Sequence, residues 1–408
     1  MLPFRRLFEV ARHMGSLGDS TRRAMRVHPS KRSTAACAQA DKAKFMLVSN
    51  NEDFRVETAC LNRLDVPASS LRVGMVTGGA DSTLTVLMHP SVGHVLSFDP
   101  SPLQVHLLHL KLAVAASDLS ADEATGFLLR GEGGKAVFKT GLRDRLPEDT
   151  VEFFEGAGED EVELGVLRAA NDNPFNKLLR QWFADEHGIS LSGWPCMSPA
   201  EKDRVLSICA NSDGAALRAA IHTFFEAAPW FQAMPEENQE FLRSVLGIVA
   251  ASTLRGTGKI LADVDCGLLP PRDFFTDIVL SGSPKTPPPW LTERGRRALR
   301  AKMAHGPVLE TVLSKVEDLK EVGRFDFVSL SNIYDFSNEA AAIASVETVV
   351  ANILKPDGEL LVRRGVGNAS GILKQAGGTQ LEGEALDNYD INPLFYRQVG
   401  TVAAAKFA

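Results

Sequence analysis

The residues best suited to chemistry lie between positions 72 and 111. An apolar run at 73–76 leads into Thr77, Gly78 and Gly79, and a second apolar run at 94–98 ends in Asp99. Glycine lacks a Cβ, so the backbone at such a turn can approach a ligand closely. A carboxylate about twenty residues further on can accept hydrogen bonds from both hydroxyls of a ribose. The pattern predicts a site for a cofactor that contains a nucleoside.

Two better-known nucleotide motifs are missing from this region. The turn reads Thr-Gly-Gly-Ala-Asp rather than G-x-G-x-x-G, and the chain has no G-x-x-x-x-G-K-[ST] loop, which argues against a nucleotide triphosphatase. An ordinary βαβ unit whose glycines only turn the chain is the alternative. Asp99 favours a site, because it is expected at the carboxyl end of a strand, where open α/β sheets bind their ligands.

The elements that would hold these residues alternate between strand and helix. Strands are predicted at 73–76 and 94–98, with a short helix at 82–88 and a longer one at 104–119. On the longer helix, His109 and Lys111 are expected on the flanks.

The strand signal fades between about residues 140 and 289, where apolar residues recur at helical spacing. This segment contains several aromatic residues, including Trp182 and Phe225. They are predicted to form the segment's own core or, alternatively, to line an apolar pocket for an acceptor.

The α/β pattern returns in the last third of the chain. Strands are predicted at 308–313, 325–330 and 359–363, a helix at 339–354, a turn at 355–358 and a final strand or hairpin at 395–407. The fold class is therefore α/β, with a doubly wound, mostly parallel sheet and a large helical insertion. The expected organisation is a basic arm (1–44), the first part of the α/β domain (45–140), the helical insertion (141–290) and the second part of the α/β domain (291–408).

Composition limits the function classes. The 408 residues exceed the ~250–300 at which single cores stop growing. The net charge of −7 gives no reason to expect a nucleic-acid partner, and no apolar stretch reaches the ~18 residues of a membrane span. Five scattered cysteines favour reduced thiols in a cytoplasmic protein, and the nine histidines show no metal-binding spacing, so no metal is expected.

The first 44 residues differ from the rest, with ten Lys or Arg against three Asp or Glu. A basic amphipathic segment in residues 1–32 could make peripheral contact with an anionic membrane. An Arg-rich, acid-poor start is also typical of an organelle transit peptide. The third interpretation is an arm that packs on the domain.

Taken together, these segments resemble the class I S-adenosylmethionine-dependent methyltransferase fold. More narrowly, the chain is similar to the diacylglycerol 3-amino-3-carboxypropyltransferase family of betaine-lipid synthesis. The most specific match is Asp99-Pro100-Ser101-Pro102-Leu103-Gln104 followed by the stretch 108–113, which fits the family's Asp-x-Asn-Pro-x-Gln and Leu-x-Leu-Lys-x-Ala patterns. Asn51-Glu52-Asp53, the glycine turn and the stretches 274–291 and 330–335 extend the resemblance.

The chain departs from the family pattern close to the expected reactive end of the cofactor. Val48, Ser49, Asn50 and Asn51 replace the Tyr, Cys and Trp expected before Glu52, and Ala80-Asp81 replaces Cys-Asn. The family's fold is therefore a safer expectation than its acceptor.

The resemblance, added to the residue pattern, assigns roles at the site. S-adenosylmethionine is the expected group donor, with Asp99 as the ribose ligand. Candidate catalytic residues are Asp335 as a base, Tyr334 with its ring beside the sulfonium cation, and Asp81 as a base or a ligand of the methionine amino group. The remaining cofactor-binding residues are expected to be Thr77, Gly78, Gly79, Pro100, Gln104, Ser331, Asn332, Glu52 and Asp53.

The resemblance implies transfer of the 3-amino-3-carboxypropyl group to an acceptor, with the hydroxyl of a diacylglycerol, or another lipid, as the family expectation. Three alternatives stay open: a methyltransferase, cyclisation of S-adenosylmethionine to azetidine-2-carboxylate, and a protein that binds the cofactor without turnover. Because the three carbons around one sulfonium are all electrophilic, the choice depends on which of them the site aligns with a nucleophile.

Overall fold

In the computed structural model, the strands that the structure describes form a seven-stranded sheet. The structure describes residues 25–27, 54–64, 66–167, 174–212, 214–227, 229–232, 236–265, 277, 280, 286–364, 372, 375 and 398–403. The strands are β1 (Met25–Val27), β2 (Leu71–Val76), β3 (Val92–Asp99), β4 (Leu309–Leu313), β5 (Phe325–Ser329), β6 (Leu354–Arg364) and β7 (Gln398–Ala403).

The strand order across the sheet is β1-β4-β3-β2-β5-β6-β7. The five strands from β4 to β6 are all parallel and follow the order 3-2-1-4-5 when they are counted along the chain. β7 runs antiparallel to β6, with Glu359 opposite Ala403. This is a Rossmann-like fold of the methyltransferase type, so the predicted fold class is confirmed.

Strands β2 and β3 form the part of the sheet that carries the glycine turn and Asp99. They pair in parallel, with Val76 opposite Phe98, and β3 in turn places Asp99 opposite Leu313 of β4. Their apolar side chains are buried, as expected for a parallel sheet that is covered on both faces. The strand order reverses at β2, and open α/β sheets bind ligands at the carboxyl ends of strands next to such a point.

The helices fall between these strands and in one long block between β3 and β4. They are α1 (Arg55–Arg63), α2 (Asp81–Leu87), α3 (Pro102–Ala116), α4 (Ala121–Arg130), α5 (Gly134–Val137), α6 (Glu148–Glu155), α7 (Glu159–Leu164), α8 (Pro174–His187), α9 (Pro199–Asn211), α10 (Ala215–Ala227), α11 (Pro229–Gln232), α12 (Glu236–Asp265), α13 (Glu293–Met303) and α14 (Glu339–Asn352). Short 3₁₀ turns include Pro289–Leu291 and Ile333–Phe336.

Helix α3 is mostly apolar, and almost all of its residues, including its polar ones, are buried. It packs against β3 and β4 and also against α6 and α13. His109 and Lys111 both have no exposed surface, so the prediction that they lie on the flanks of this helix is wrong. The physical reason is that the helix has neighbours on several sides, which leaves it no solvent-facing flank at these positions.

The described residues divide between two compact units. The first lies within Met1–Asn50, Cys60–Arg168 and Pro288–Phe327, and the second within Asn51–Ala59, Ala169–Pro287 and Val328–Ala408. In the second unit, helices α8, α9, α10 and α12 share an apolar core that contains Trp182, with Phe225 packed against it. These two aromatic side chains therefore belong to a helical core, as the first of the two interpretations predicted.

Two details differ from the sequence-based prediction. Strand β6 begins at Leu354, so the four residues 355–358 belong to its start and do not form a separate turn before it. Proline is tolerated there because the first residues of a strand need not supply every ladder hydrogen bond. Strand β1, which pairs in parallel with β4, lies inside the segment predicted as a basic arm and was not foreseen as a strand.

Among the helices that the structure describes, none is both long enough and apolar enough to cross a bilayer.

Candidate functional site

The turn between β2 and α2 has a backbone conformation that glycine favours. Gly78 has φ of 46°, and Ala80, which precedes the first residue of α2, has φ of 70°. The amide of Ala80 donates a hydrogen bond to the carbonyl of Thr77 over 2.7 Å, which closes the turn. A side chain at positive φ costs about 1 kcal/mol or more and persists where the surroundings fix it. The strain at Ala80 therefore marks this turn as a candidate functional element.

Asp99, at the carboxyl end of β3, is held by backbone amides on both carboxylate oxygens. Gly78 N donates to Oδ2 over 3.2 Å, and Ser101 N donates to Oδ1 over 2.9 Å. A carboxylate offers about four lone-pair positions, so each oxygen can accept a further hydrogen bond. The two amides fix the carboxylate in one orientation and leave it able to bind a pair of hydroxyl groups.

The electrostatic state of Asp99 is unusual for a carboxylate. Only 6% of its surface is exposed. Burial raises its pKa to about 6, and the hydrogen bonds from Ser101 and Gly78 oppose that shift only in part. Ionised Asp99 is thus a poorly solvated anion at neutral pH, and additional hydrogen-bond donors from a ligand would stabilise it.

Two side chains of α3 bind the carbonyl groups of the turn. Gln104 Nε2 donates to Gly78 O over 2.5 Å, and Lys111 Nζ donates to Gly79 O over 2.6 Å. Gln104 thus contacts the turn, while its predicted role in binding the cofactor stays a prediction. The structure brings Gly78, Gly79, Asp99 and Gln104 together at one end of the sheet.

Asp81, the first residue of α2, is buried and bonded to two groups of the first unit. Its Oδ1 accepts hydrogen bonds from Lys111 Nζ over 2.9 Å and from Trp290 Nε1 over 2.8 Å. Only 3% of its surface is exposed. Its predicted use as a base or as a ligand of the methionine amino group stays a prediction, and the contacts give it a further role, that of holding a buried cation.

Thr77 and Pro100 flank the turn and the carboxylate. Thr77 is buried; its hydroxyl lies 2.7 Å from the hydroxyl of Ser97, and its amide donates to Phe98 O over 2.9 Å. These bonds join the ends of β2 and β3. Pro100 is exposed beside Asp99.

Four further predicted site residues follow β5 and lie in the second unit. Ser331 has φ of 56°, and its hydroxyl donates to Asn332 Oδ1 over 3.2 Å. Tyr334 is buried, with its hydroxyl 3.0 Å from that of Ser345 on α14. Asp335 lies in the 3₁₀ turn Ile333–Phe336. Their participation in the cofactor site stays a prediction.

Glu52 and Asp53 lie outside the described residues, and their predicted roles stay predictions. Within the parts of the chain that the structure describes, no group of three or more His, Cys, Asp or Glu side chains could hold a metal ion.

Comparisons of the chain with protein-family models, with curated proteins and with solved structures find no match.

A fixed carboxylate that can accept two hydroxyl groups, beside a strained glycine turn at the carboxyl end of a parallel sheet, suits a ribose and the atoms attached to it. Asp99 would hold the hydroxyls, while Gly78 and Gly79 would admit the rest of the ligand.

Two residues that support this site were not among the predicted site residues. Lys111 carries the single charge in an otherwise apolar stretch of α3, and such a pattern is a signal that the charge has a buried partner. Trp290 follows three prolines, which restrain the backbone ahead of it, but nothing in its neighbourhood reveals that it binds Asp81, 209 residues earlier in the chain.

Proposed function

We propose that the chain binds S-adenosylmethionine at the glycine turn and Asp99, and transfers its 3-amino-3-carboxypropyl group to an acceptor. The observation that carries the binding proposal is the carboxylate of Asp99, which two backbone amides hold at the carboxyl end of β3 with acceptor capacity to spare. Its position in a sheet of order 3-2-1-4-5 supports an adenosyl ligand.

The choice of transferred group rests on the sequence resemblance around residues 99–113. When bound, S-adenosylmethionine supplies a sulfonium with three electrophilic carbons. In the proposed reaction, an acceptor oxygen forms a bond to the γ-carbon of the methionine chain, and the bond from that carbon to sulfur breaks. Both electrons of the broken bond stay on sulfur, so methylthioadenosine leaves as a neutral thioether, and the acceptor hydroxyl loses its proton to a base.

Positioning and electrostatics are expected to do most of the catalytic work, because the leaving group is already cationic. Asp335 is the proposed base, and Tyr334 the proposed aromatic neighbour of the sulfonium. The proposed acceptor is the hydroxyl of a diacylglycerol, which would give a homoserine ether lipid.

Mass spectrometry of the nucleoside product tests the proposal. The full-length protein is incubated with S-adenosylmethionine, with and without vesicles that contain diacylglycerol. Methylthioadenosine that forms only with the lipid, together with a lipid product heavier by one aminocarboxypropyl group, would support it. S-adenosylhomocysteine would overturn it in favour of methyl transfer, and methylthioadenosine together with azetidine-2-carboxylate, formed without any acceptor, would indicate cyclisation.

A matched pair of variants attributes the product to this site. Asp99→Asn should greatly reduce turnover. Glu152→Gln makes the same chemical change at an exposed carboxylate on α6 and should leave turnover unchanged. If the protein binds the cofactor but gives no nucleoside product with any lipid acceptor, it would instead be a non-catalytic cofactor-binding protein.

A further inference from the structure

The glycine turn is held from one side by two residues of the same helix. Gln104 and Lys111 are seven residues apart, which is about two turns of an α-helix, so they lie on one face of α3. Each donates to a different carbonyl of the turn, Gln104 to Gly78 O and Lys111 to Gly79 O. Both side chains are buried.

These two bonds determine the orientation of the peptide groups in the turn. In a trans peptide, the N–H of the following residue points opposite to the C=O of the same plane. Because the carbonyl of Gly78 points to Gln104, the N–H of Gly79 points away from α3. In the next plane, the carbonyl of Gly79 points to Lys111, and Ala80 N closes the turn onto Thr77 O. The conformation of the turn is therefore specified by α3.

Burying the ammonium group of Lys111 costs free energy, so its hydrogen bond to the carbonyl of Gly79 is expected to have a function. The side chain has no exposed surface, and a buried ammonium group is tolerated only when it is paired and hydrogen-bonded. Asp81 supplies the pair, at 2.9 Å, and Trp290 Nε1 binds the same carboxylate oxygen. The ammonium group also lies 5.8 Å from the centre of the Trp290 ring. An apolar residue would fill this space without a partner but could not bind Gly79 O.

We propose that Gln104 and Lys111, the latter held by Asp81 and Trp290, are positioning residues that set the affinity for the cofactor through the peptide planes of the glycine turn. The inference rests on the proposed function for the identity of the ligand. In this proposal, Asp81 stabilises the turn indirectly, by pairing with Lys111.

Substitutions at Lys111 and Asp81, made singly and together, distinguish an effect on cofactor affinity from an effect on stability alone. Lys111→Met alone leaves the carboxylate of Asp81 buried without its cation, and the melting temperature should fall strongly. Adding Asp81→Asn removes that uncompensated charge, so the double variant Asp81→Asn/Lys111→Met should recover most of the melting temperature. The bond to Gly79 O is still missing in the double variant. Its Kd for S-adenosylmethionine, measured by calorimetry well below the melting temperature, should therefore stay about tenfold or more above wild type.

Gln104→Leu provides a second test that introduces no buried charge. It should also raise Kd by about tenfold, with a smaller loss of melting temperature, because it removes one hydrogen bond to Gly78 O.

The matched control lies at the opposite end of α3. Arg296 of α13 is a buried cation that donates to Ala115 O over 3.3 Å and to Ser117 O over 2.8 Å. Arg296→Met should lower the melting temperature and leave Kd within about twofold of wild type, a difference of about 0.4 kcal/mol. The proposal would be overturned if the double variant bound the cofactor as wild type does, or if Arg296→Met weakened binding as much as the double variant.

Hydrogen exchange distinguishes failure of this inference from failure of the proposed function. If wild type binds neither S-adenosylmethionine nor S-adenosylhomocysteine, the proposed ligand is wrong, but the conformation of the turn can still be measured. Without ligand, the amides of residues 79–81 should exchange faster in the double variant and in Gln104→Leu than in wild type and Arg296→Met. Equal exchange in all four proteins would overturn the positioning role itself.

Discussion

The amide of Gly78, after β2, donates a hydrogen bond to the carboxylate of Asp99, at the end of β3, across 3.2 Å. This bond ties the turn that would admit a ligand to the group that would bind it. A change at either residue should therefore disturb the other. It also places the glycine turn next to a buried anion whose burial is not fully compensated within the protein.

Cofactor affinity should weaken in mildly acidic solution. Burial raises the pKa of Asp99 to about 6, and the ribose hydroxyls need the ionised carboxylate as an acceptor. Well above pH 6 the carboxylate is ionised and Kd should be constant, whereas at pH 5, one unit below the pKa, Kd should be about tenfold higher. Calorimetric titration with S-adenosylhomocysteine from pH 5 to 8 measures this. A Kd that stays constant down to pH 5 would argue against the role of Asp99.

Acid should also destabilise the fold through His109. Burial, and then the neighbouring His106, lower the pKa of His109 to about 3, whereas an unfolded histidine titrates near 6.5. Its ring nitrogens lie 2.8 Å from Thr150 Oγ1 and 3.1 Å from Thr311 Oγ1, which suits a neutral ring with one donor and one acceptor.

Between pH 6.5 and 3, the unfolded state therefore binds a proton that folded His109 does not. The free energy of unfolding should therefore decrease as the pH falls through this window, by up to about 1.4 kcal/mol per pH unit. His109→Gln should be less stable than wild type at pH 7.5 but should lose less stability on acidification. Urea unfolding at several pH values compares the two proteins. The raised pKa of Asp99 makes stability change with pH in the opposite direction, but this effect is the same in both proteins. Equal losses of unfolding free energy on acidification would therefore contradict the prediction.

The second unit contains a buried ion pair whose partners depend on each other. Arg363 binds Glu57 through two nitrogens, at 2.6 Å and 2.9 Å, and Ser329 Oγ donates to the same carboxylate. Neither charged side chain has exposed surface. Arg363→Met should lower the free energy of unfolding by about 3–5 kcal/mol, because it leaves a buried carboxylate unpaired.

The double variant Glu57→Leu/Arg363→Met should be more stable than Arg363→Met alone, since it removes both charges. The exposed pair Arg143–Glu155 serves as the control, and Arg143→Met should change stability little. Urea unfolding of all four proteins measures these differences. A double variant that is no more stable than Arg363→Met alone would contradict the prediction.

The basic composition of residues 1–44 predicts salt-sensitive binding to anionic vesicles, if the acceptor is a membrane lipid. Replacing Arg5, Arg6 and Arg12 by Gln should weaken binding to vesicles that contain phosphatidylglycerol, by about 1 kcal/mol for each contacting charge. Vesicle sedimentation at increasing salt measures this. Binding that responds neither to salt nor to the substitutions would remove these residues from the account.

The sequence predicted the fold well because its signals are local. Apolar runs of strand length ending at the glycine turn and at Asp99 indicated β2 and β3, and the later apolar run at 325–330 indicated β5. The parallel order follows from the alternation of strands with helices. Strand β1 could not be predicted, because three residues are too few to show a strand pattern. It also pairs with a distant strand, β4, where Met25 lies opposite Leu309.

The site was predicted less completely, because its supporting contacts join distant residues. Gly78, Asp99 and Gln104 lie close together in sequence, and the structure brings them together. The link between Asp81 and Trp290 could not be read from spacing, and the burial of Lys111 depends on packing around α3 that becomes visible only in three dimensions.

Calorimetric titration of S-adenosylmethionine into wild type and Asp99→Asn at pH 7.5 measures whether Asp99 binds the cofactor. Wild type should bind one molecule, and Asp99→Asn should bind about tenfold or more weakly, because it loses a charged acceptor for a hydroxyl. The melting temperature of the variant should change little, because the amide removes a buried carboxylate whose pKa is raised but keeps only one of its two backbone hydrogen bonds. No binding by wild type, or equal affinity in the two proteins, would contradict the account.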